Sequence, residues 1–308
     1  MALVFARYQR DIHQARKRIS VGSQIAQTPC GPIEYAVAGD GPPVLVVHGA
    51  GGGYDQSLEF SEGLIQSGFR IIAMSRFGYL RTPMPDDASV TAQADAHACL
   101  LDALKIPRAA ILGASAGAPS AMQFALQYPK RTAALVLLVP TAYPTRIVQK
   151  QEGAISKQSL ATAKFLINTA LKSDFLFWAA PRLAPQSVMP TLLATPQTVL
   201  EHASPEERIR VTQMLNCMLP ISQRRLGTLN DALIIPFLPR YDLEHITVPT
   251  LILSTADDFF KTYEGSRYSA EHIPHARFIG YPSGGHLFVG HYKEVISEVA
   301  GFLKKNSL

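Results

Sequence analysis

The chain has 308 residues, of which 47% are hydrophobic and 17% charged, and a formal net charge of +5. This composition suits a globular protein with a large core and excludes a disordered one; no apolar run is long enough to cross a bilayer. The basic excess comes without an aromatic-basic motif or a recognition-helix pattern, so nucleic-acid binding is a weak reading, and the net charge by itself does not show attraction of an anionic small substrate.

The chain opens on "MALVFARYQRDIHQARKRIS", which is basic and whose apolar run stops after Ala6. A secretory signal needs a longer apolar stretch, so residues 1–30 read as a basic extension with an amphipathic surface helix, and the protein is expected to be cytoplasmic. Cys30, Cys99 and Cys217 lie far apart without metal-ligand spacing. They are expected to be structural thiols in a reducing compartment, with no metal.

Residues 31–39, "GPIEYAVAG", alternate and then turn at "DGPP". "VLVVHGAGGG" (44–53) is a buried strand that runs into glycines, and "FRIIAMS" (69–75) is another. A helix ending at Gly68 joins them. "SVTAQADAHACLLDAL" (89–104) has helical spacing, and "AAILGASAG" is strand and turn. "APSAMQFALQYP" follows as a helix and "AALVLLVP" (133–140) as a strand. Fully apolar strands alternating with helices predict a mostly parallel sheet covered on both faces. From 141 to 244 the rhythm changes to helical segments divided by prolines. "VPTLILSTADDFF" (248–260) resumes the buried-strand pattern, "ARFIGYPSGGH" (276–286) adds a last strand, and "YKEVISEVAGFLKKN" a last helix. The expected organisation is an α/β core of residues 31–140 and 245–308 carrying a helical insertion, 141–244.

Within "GASAG", Ser115 stands between a buried strand and a helix, flanked by Gly113 and Gly117. Small neighbours let strand and helix approach closely, and the turn projects the hydroxyl above the sheet. The helix N-terminus behind it favours developing negative charge.

With "HGAGG" after an early strand, "GASAG" after a middle one, "LILSTADD" late and "GGH" near the end, residues 31–304 resemble the α/β-hydrolase superfamily. The resemblance implies that fold, with Ser115 as nucleophile and His286 as general base; His291 is the alternative base, closer to the last helix. The orienting acid is Asp258 or Asp257. Matching "LILSTADD" to the family's strand–Gly-X-X-Asp pattern favours Asp258 and sets Thr255 where the glycine would be. Asp257 would then be solvated or cap the next turn. The resemblance also implies an oxyanion hole of the Ala50 and Ala116 N–H groups, with His48 structural. The glycine run lacks the Lys-Ser/Thr of a phosphate loop and the spacing of a dinucleotide site. No cofactor is implied.

The chain departs from the family at "SRFGYLRT", where Ser75, Leu80 and Thr82 replace an aspartate, a glycine and a serine. A changed loop is expected, with no changed chemistry. A serine at the elbow excludes the branches that need a carboxylate there. Transfer of an acyl group to water remains, with ester hydrolysis ahead of C–C bond hydrolysis because the oxyanion loop lacks the "GGGPG"-like proline of the C–C hydrolases. A ligand-binding member of the fold without catalysis is the remaining class.

The insertion is expected to form a cap over Ser115. Phe177, Trp178 and Met218, with Gly51 of the glycine loop, are candidate pocket residues. Arg146 is a candidate partner for a second carboxylate on the substrate. The chain is similar to bacterial hydrolases of monoalkyl esters of aromatic diacids such as phthalate. The expected partner is a small ester; a homodimer is left open.

Overall fold

The computed structural model describes residues 2–143, 169 and 171–306. Eight strands form one sheet: β1 (Gln24–Thr28), β2 (Gly31–Ala38), β3 (Pro43–Val47), β4 (Arg70–Met74), β5 (Ala109–Ala114), β6 (Thr132–Leu138), β7 (Thr250–Thr255) and β8 (Ala276–Tyr281). Their spatial order is β1-β2-β4-β3-β5-β6-β7-β8. β2 runs antiparallel to both its neighbours, and all other pairs are parallel.

The described helices are α1 (Ala2–Ser20), α2 (Tyr54–Phe60), α3 (Glu62–Gln66), α4 (Val90–Ala103), α5 (Ala118–Gln127), α6 (Asp174–Leu183), α7 (Pro185–Leu192), α8 (Gln197–Glu201), α9 (Pro205–Asn216), α10 (Arg225–Ile234), α11 (Thr262–His272) and α12 (Tyr292–Asn306). Serines start several of them: Ser89 accepts from Ala92 N–H at α4, and Ser204 accepts from Glu207 N–H at α9, where Pro205 supplies the first turn.

Alternation along each central strand feeds two cores. On one face Leu45 and Val47 of β3 pack with Leu100 of α4 and Phe124 of α5. On the other, Val44 and Val46 pack with Leu64 of α3 and Val295 and Val299 of α12. Each such side chain contributes about 1.5–3 kcal/mol on burial. Both faces are covered, which is why these strands are apolar without interruption.

Three sequence-based expectations need correction. The sheet begins before residue 31, because Gln24–Thr28 pairs with β2. The alternation there is too polar and short to announce a strand; its outer edge is open to water. Second, α1 is more than a surface helix. Ile12 and Ala15 pack against Trp178 and Leu219 of the helical insertion. Third, Cys30 and Cys99 form a disulfide, which joins the β1–β2 turn to α4, and only Cys217 is a free, buried thiol. Sequence separation hid the pairing, since the register of β1 and β2 brings Cys30 back to the core. The cysteines therefore give no ground for a reducing compartment. No helix among the described residues is long and apolar enough to cross a membrane.

Candidate active site

β5 ends at Ala114 and the chain turns through Ser115–Gly117 into α5. The turn is tight. A Cβ on Gly113 would meet Ala121 Cβ at 2.7 Å, and one on Gly117 would meet the Val47 carbonyl at 2.4 Å. Ser115 itself sits at φ +50, in the left-handed region that a residue with a side chain adopts only under constraint. Its hydroxyl makes no hydrogen bond to a described residue, and it lines a cavity of about 180 Å³.

His286 lines the same cavity. It stands on a short turn after β8, and its Nδ1 lies 2.9 Å from Asp258 Oδ2. Asp258 follows β7 and is fully buried. Burial opposes its ionisation, but the nearby His286, with hydrogen bonds from His286, Thr262 and the Phe260 N–H, prevails and holds its carboxyl below the usual range. The Phe260 ring stands edge-on to the imidazole, with centroids 4.9 Å apart.

Asp257 is directed elsewhere. It accepts from the N–H groups of Gly284 and Gly285, at 3.1 and 2.8 Å, and so braces the loop that carries His286. Thr255, the residue at the expected glycine position, donates to the Gly285 carbonyl at 2.8 Å. The departure from the family pattern thus braces the same loop. His291 instead lies 3.5 Å from Glu294 and does not line this cavity.

In the loop after β3, Ala50 and Gly51 line the cavity. The Gly51 N–H is taken by the Tyr79 hydroxyl at 3.3 Å, whereas the Ala50 N–H has no acceptor among the described residues. Ala116 is buried immediately after Ser115. His48 accepts from the Arg76 N–H at Nε2, 3.0 Å, and its Nδ1 lies 2.7 Å from the Gly49 carbonyl. Burial first, then the Arg76 charge, drive its pKa well below the ordinary value. A histidine kept neutral with both nitrogens occupied is a structural part. Ser75 is equally committed: it donates to Glu34 at 2.9 Å and accepts from Tyr54 N–H.

Helices between β6 and β7 supply the opposite wall through Leu192, Leu193, Met214 and Met218. Met218 and Gly51 thus both line the cavity. Trp178 and Phe177 do not: Trp178 donates to Asp11 of α1 at 2.9 Å and packs on that helix, and Phe177 packs at its side. Their apolar spacing signals a buried face without saying which partner buries it. Arg146 lies outside the described residues. Two other arginines of the insertion are paired elsewhere, Arg224 with Asp55 and Arg182 with Asp11. No lysine or arginine among the described residues lines the cavity.

The family model of the alpha/beta hydrolase fold matches residues 42–290. The chain belongs to the alpha/beta hydrolase fold family. This hydrolase is 27% identical over 263 residues to the uncharacterized hydrolase YcgS of Bacillus subtilis, covering 83% of this chain and 89% of that one. It is also similar to the 2-hydroxy-6-oxononadienedioate/2-hydroxy-6-oxononatrienedioate hydrolase of Comamonas testosteroni, at 29% identity over 147 residues, 44% of this chain and 51% of the relative. Among solved structures, an alpha/beta hydrolase fold protein from Nakamurella multipartita superposes with a TM-score of 0.70 and 27% identity, over 92% of this hydrolase and 99% of that chain.

Proposed function

We propose that this hydrolase cleaves a small carboxylic ester through an acyl-enzyme on Ser115. The observation that carries the reading is that Ser115, on a strained elbow, shares one cavity with a His286 paired to buried Asp258. His286 takes the Ser115 proton as Oγ attacks the ester carbonyl, and Asp258 stabilises the imidazolium that forms. The tetrahedral oxyanion takes hydrogen bonds from the Ala50 and Ala116 N–H groups. His286 then protonates the leaving alkoxide. Water, activated by the same imidazole, releases the acid and restores the serine. The apolar walls suit an uncharged ester with a hydrophobic acyl or alcohol part. A monoester of a diacid such as phthalate would bring a carboxylate that meets no cation among the described residues.

The test is hydrolysis of p-nitrophenyl butyrate with labelling by a fluorophosphonate. Ser115→Ala is expected to lose at least ~10³-fold in kcat and all labelling. A variant that kept its activity would overturn the proposal. The Comamonas relative supports a second reading, hydrolysis of a carbon–carbon bond next to a ketone, because the substrate it is named for contains no ester. That substrate is a dianion, for which this cavity offers no described cation. Faster turnover of a vinylogous β-diketone than of simple esters would establish the second reading over the first.

A further inference from the structure

The loop after β3 is held from behind by two buried arginines. Arg76, just beyond β4, donates to the His48 carbonyl at 2.9 Å and to the Gly49 carbonyl at 3.2 Å. Arg224, from the turn before α10, donates to the Gly52 carbonyl at 2.6 Å. Each is paired across the boundary between sheet core and insertion. Arg76 makes two hydrogen bonds to Asp231 of α10, at 2.8 and 2.6 Å. Arg224 makes two to Asp55 of α2, at 3.0 and 2.8 Å. All four side chains are buried. Apolar side chains would often join two layers as well as such pairs do, because burying charge carries a desolvation cost. The pairs therefore call for another reason.

The peptide between Gly49 and Ala50 supplies it. In a trans peptide the carbonyl and the N–H point in opposite directions. The Gly49 carbonyl is directed at Arg76 and at His48 Nδ1. The Ala50 N–H is directed away from them, and Ala50 lines the cavity. The next N–H, of Gly51, is withdrawn by the Tyr79 hydroxyl, which itself donates to Asp231 at 2.5 Å. One carboxylate of the insertion thus organises the partners of two successive peptides.

We infer that Arg76, fixed by Asp231, is a positioning residue for the oxyanion hole: it pins the Gly49 carbonyl so that the Ala50 N–H faces the Ser115 hydroxyl's cavity. The inference rests on the acyl-enzyme reading above. A cation beside the carbonyl oxygen also polarises the peptide and strengthens its N–H as a donor to developing negative charge. Asp231 makes the aim of that donor depend on how α10 is docked.

The experiment compares Arg76→Met, Asp231→Asn and the double variant in the full chain. Turnover of p-nitrophenyl butyrate is read together with inhibition by an alkyl trifluoromethyl ketone and by the matching methyl ketone. The first ketone forms a tetrahedral adduct with an oxyanion and the second binds as a ground-state analogue. Arg76→Met is expected to lose about 10- to 100-fold in kcat, with KM changed less than about threefold. Trifluoromethyl ketone affinity should fall by the same factor, and methyl ketone affinity should hold. The double variant removes the unpaired buried carboxylate that could unfold the single one, and it should fold without regaining kcat. Asp231→Asn keeps an acceptor for Arg76 and should lose only about 3- to 10-fold. Wild-type kcat in the folded double variant would overturn the inference, as would equal losses for both ketones. A wild-type protein that neither turns over esters nor takes the fluorophosphonate would instead overturn the underlying reading, and this one with it.

Discussion

Two adjacent carboxylates after β7 have separate duties because the backbone turns between them. Asp258 faces the imidazole from a buried position, and Asp257 faces the N–H groups of the loop that carries it. In the proposed mechanism, losing the first removes the partner of the charge that forms on His286; losing the second loosens a support. Asp258→Asn is expected to cost about 10³- to 10⁴-fold in kcat. Asp257→Asn should cost less than about 10-fold, because an amide oxygen still accepts from one of the two N–H groups. Steady-state kinetics on p-nitrophenyl butyrate separates the two, and equal losses would contradict the division. The order Ser115, Asp258, His286 stands in the sequence. Which aspartate meets the histidine does not, because it depends on the dihedrals of a turn and on Phe260 and Thr262 closing over one side of it.

At the scale of elements, the strands of the centre were legible because both their faces are apolar, and β1 was not because one edge and much of its surface face water. The same limit applies to aromatic residues of the insertion. Helical spacing marks Trp178 as buried but leaves its partner open, and the partner is α1, more than 150 residues earlier by the span of the Asp11 hydrogen bond (167). Trp178→Phe keeps most of the packing and removes the bond to Asp11. It is expected to lower stability by about 1–2 kcal/mol in denaturant titration. Its kcat/KM should stay within about twofold, since Trp178 lines no part of the Ser115 cavity. A large activity loss without a stability change would place this ring at the substrate and overturn the assignment.

For the whole molecule, buried histidines set the response to acid. His97 packs within the core, its Nε2 3.0 Å from Ser120 Oγ. Burial, with the Arg76 charge adding to it, lowers its pKa to about 3. His48 is lowered too. Below the unfolded value near 6.5, the unfolded chain binds protons that the folded one refuses, so stability falls as pH falls. Between pH 7.5 and 5 His97 should remove about 2 kcal/mol, and His48 adds a loss of the same sign. Urea titrations at the two pH values should show this loss, and His97→Gln should shed the part that His97 contributes. An unchanged pH dependence in that variant would refute the account. Asp55 and Asp258, both lowered despite burial, act further down: their stabilisation holds above the unfolded carboxylate pKa near 4 and is lost as pH drops through their folded values.

The sequence by itself determined the sheet of apolar strands, the glycine-flanked serine and the order of its partners. These follow from local rules: strand burial demands continuous apolar side chains, and a tight strand–helix turn demands small ones. Only the tertiary structure decided which aspartate faces His286, that Cys30 meets Cys99, that Trp178 serves α1, and that Arg76 and Arg224 grip the loop carrying Ala50. Each of those is a contact between segments distant in the chain or a choice of backbone direction. Such choices are made by packing, where a charged side chain is held by whichever buried partner the fold brings within reach.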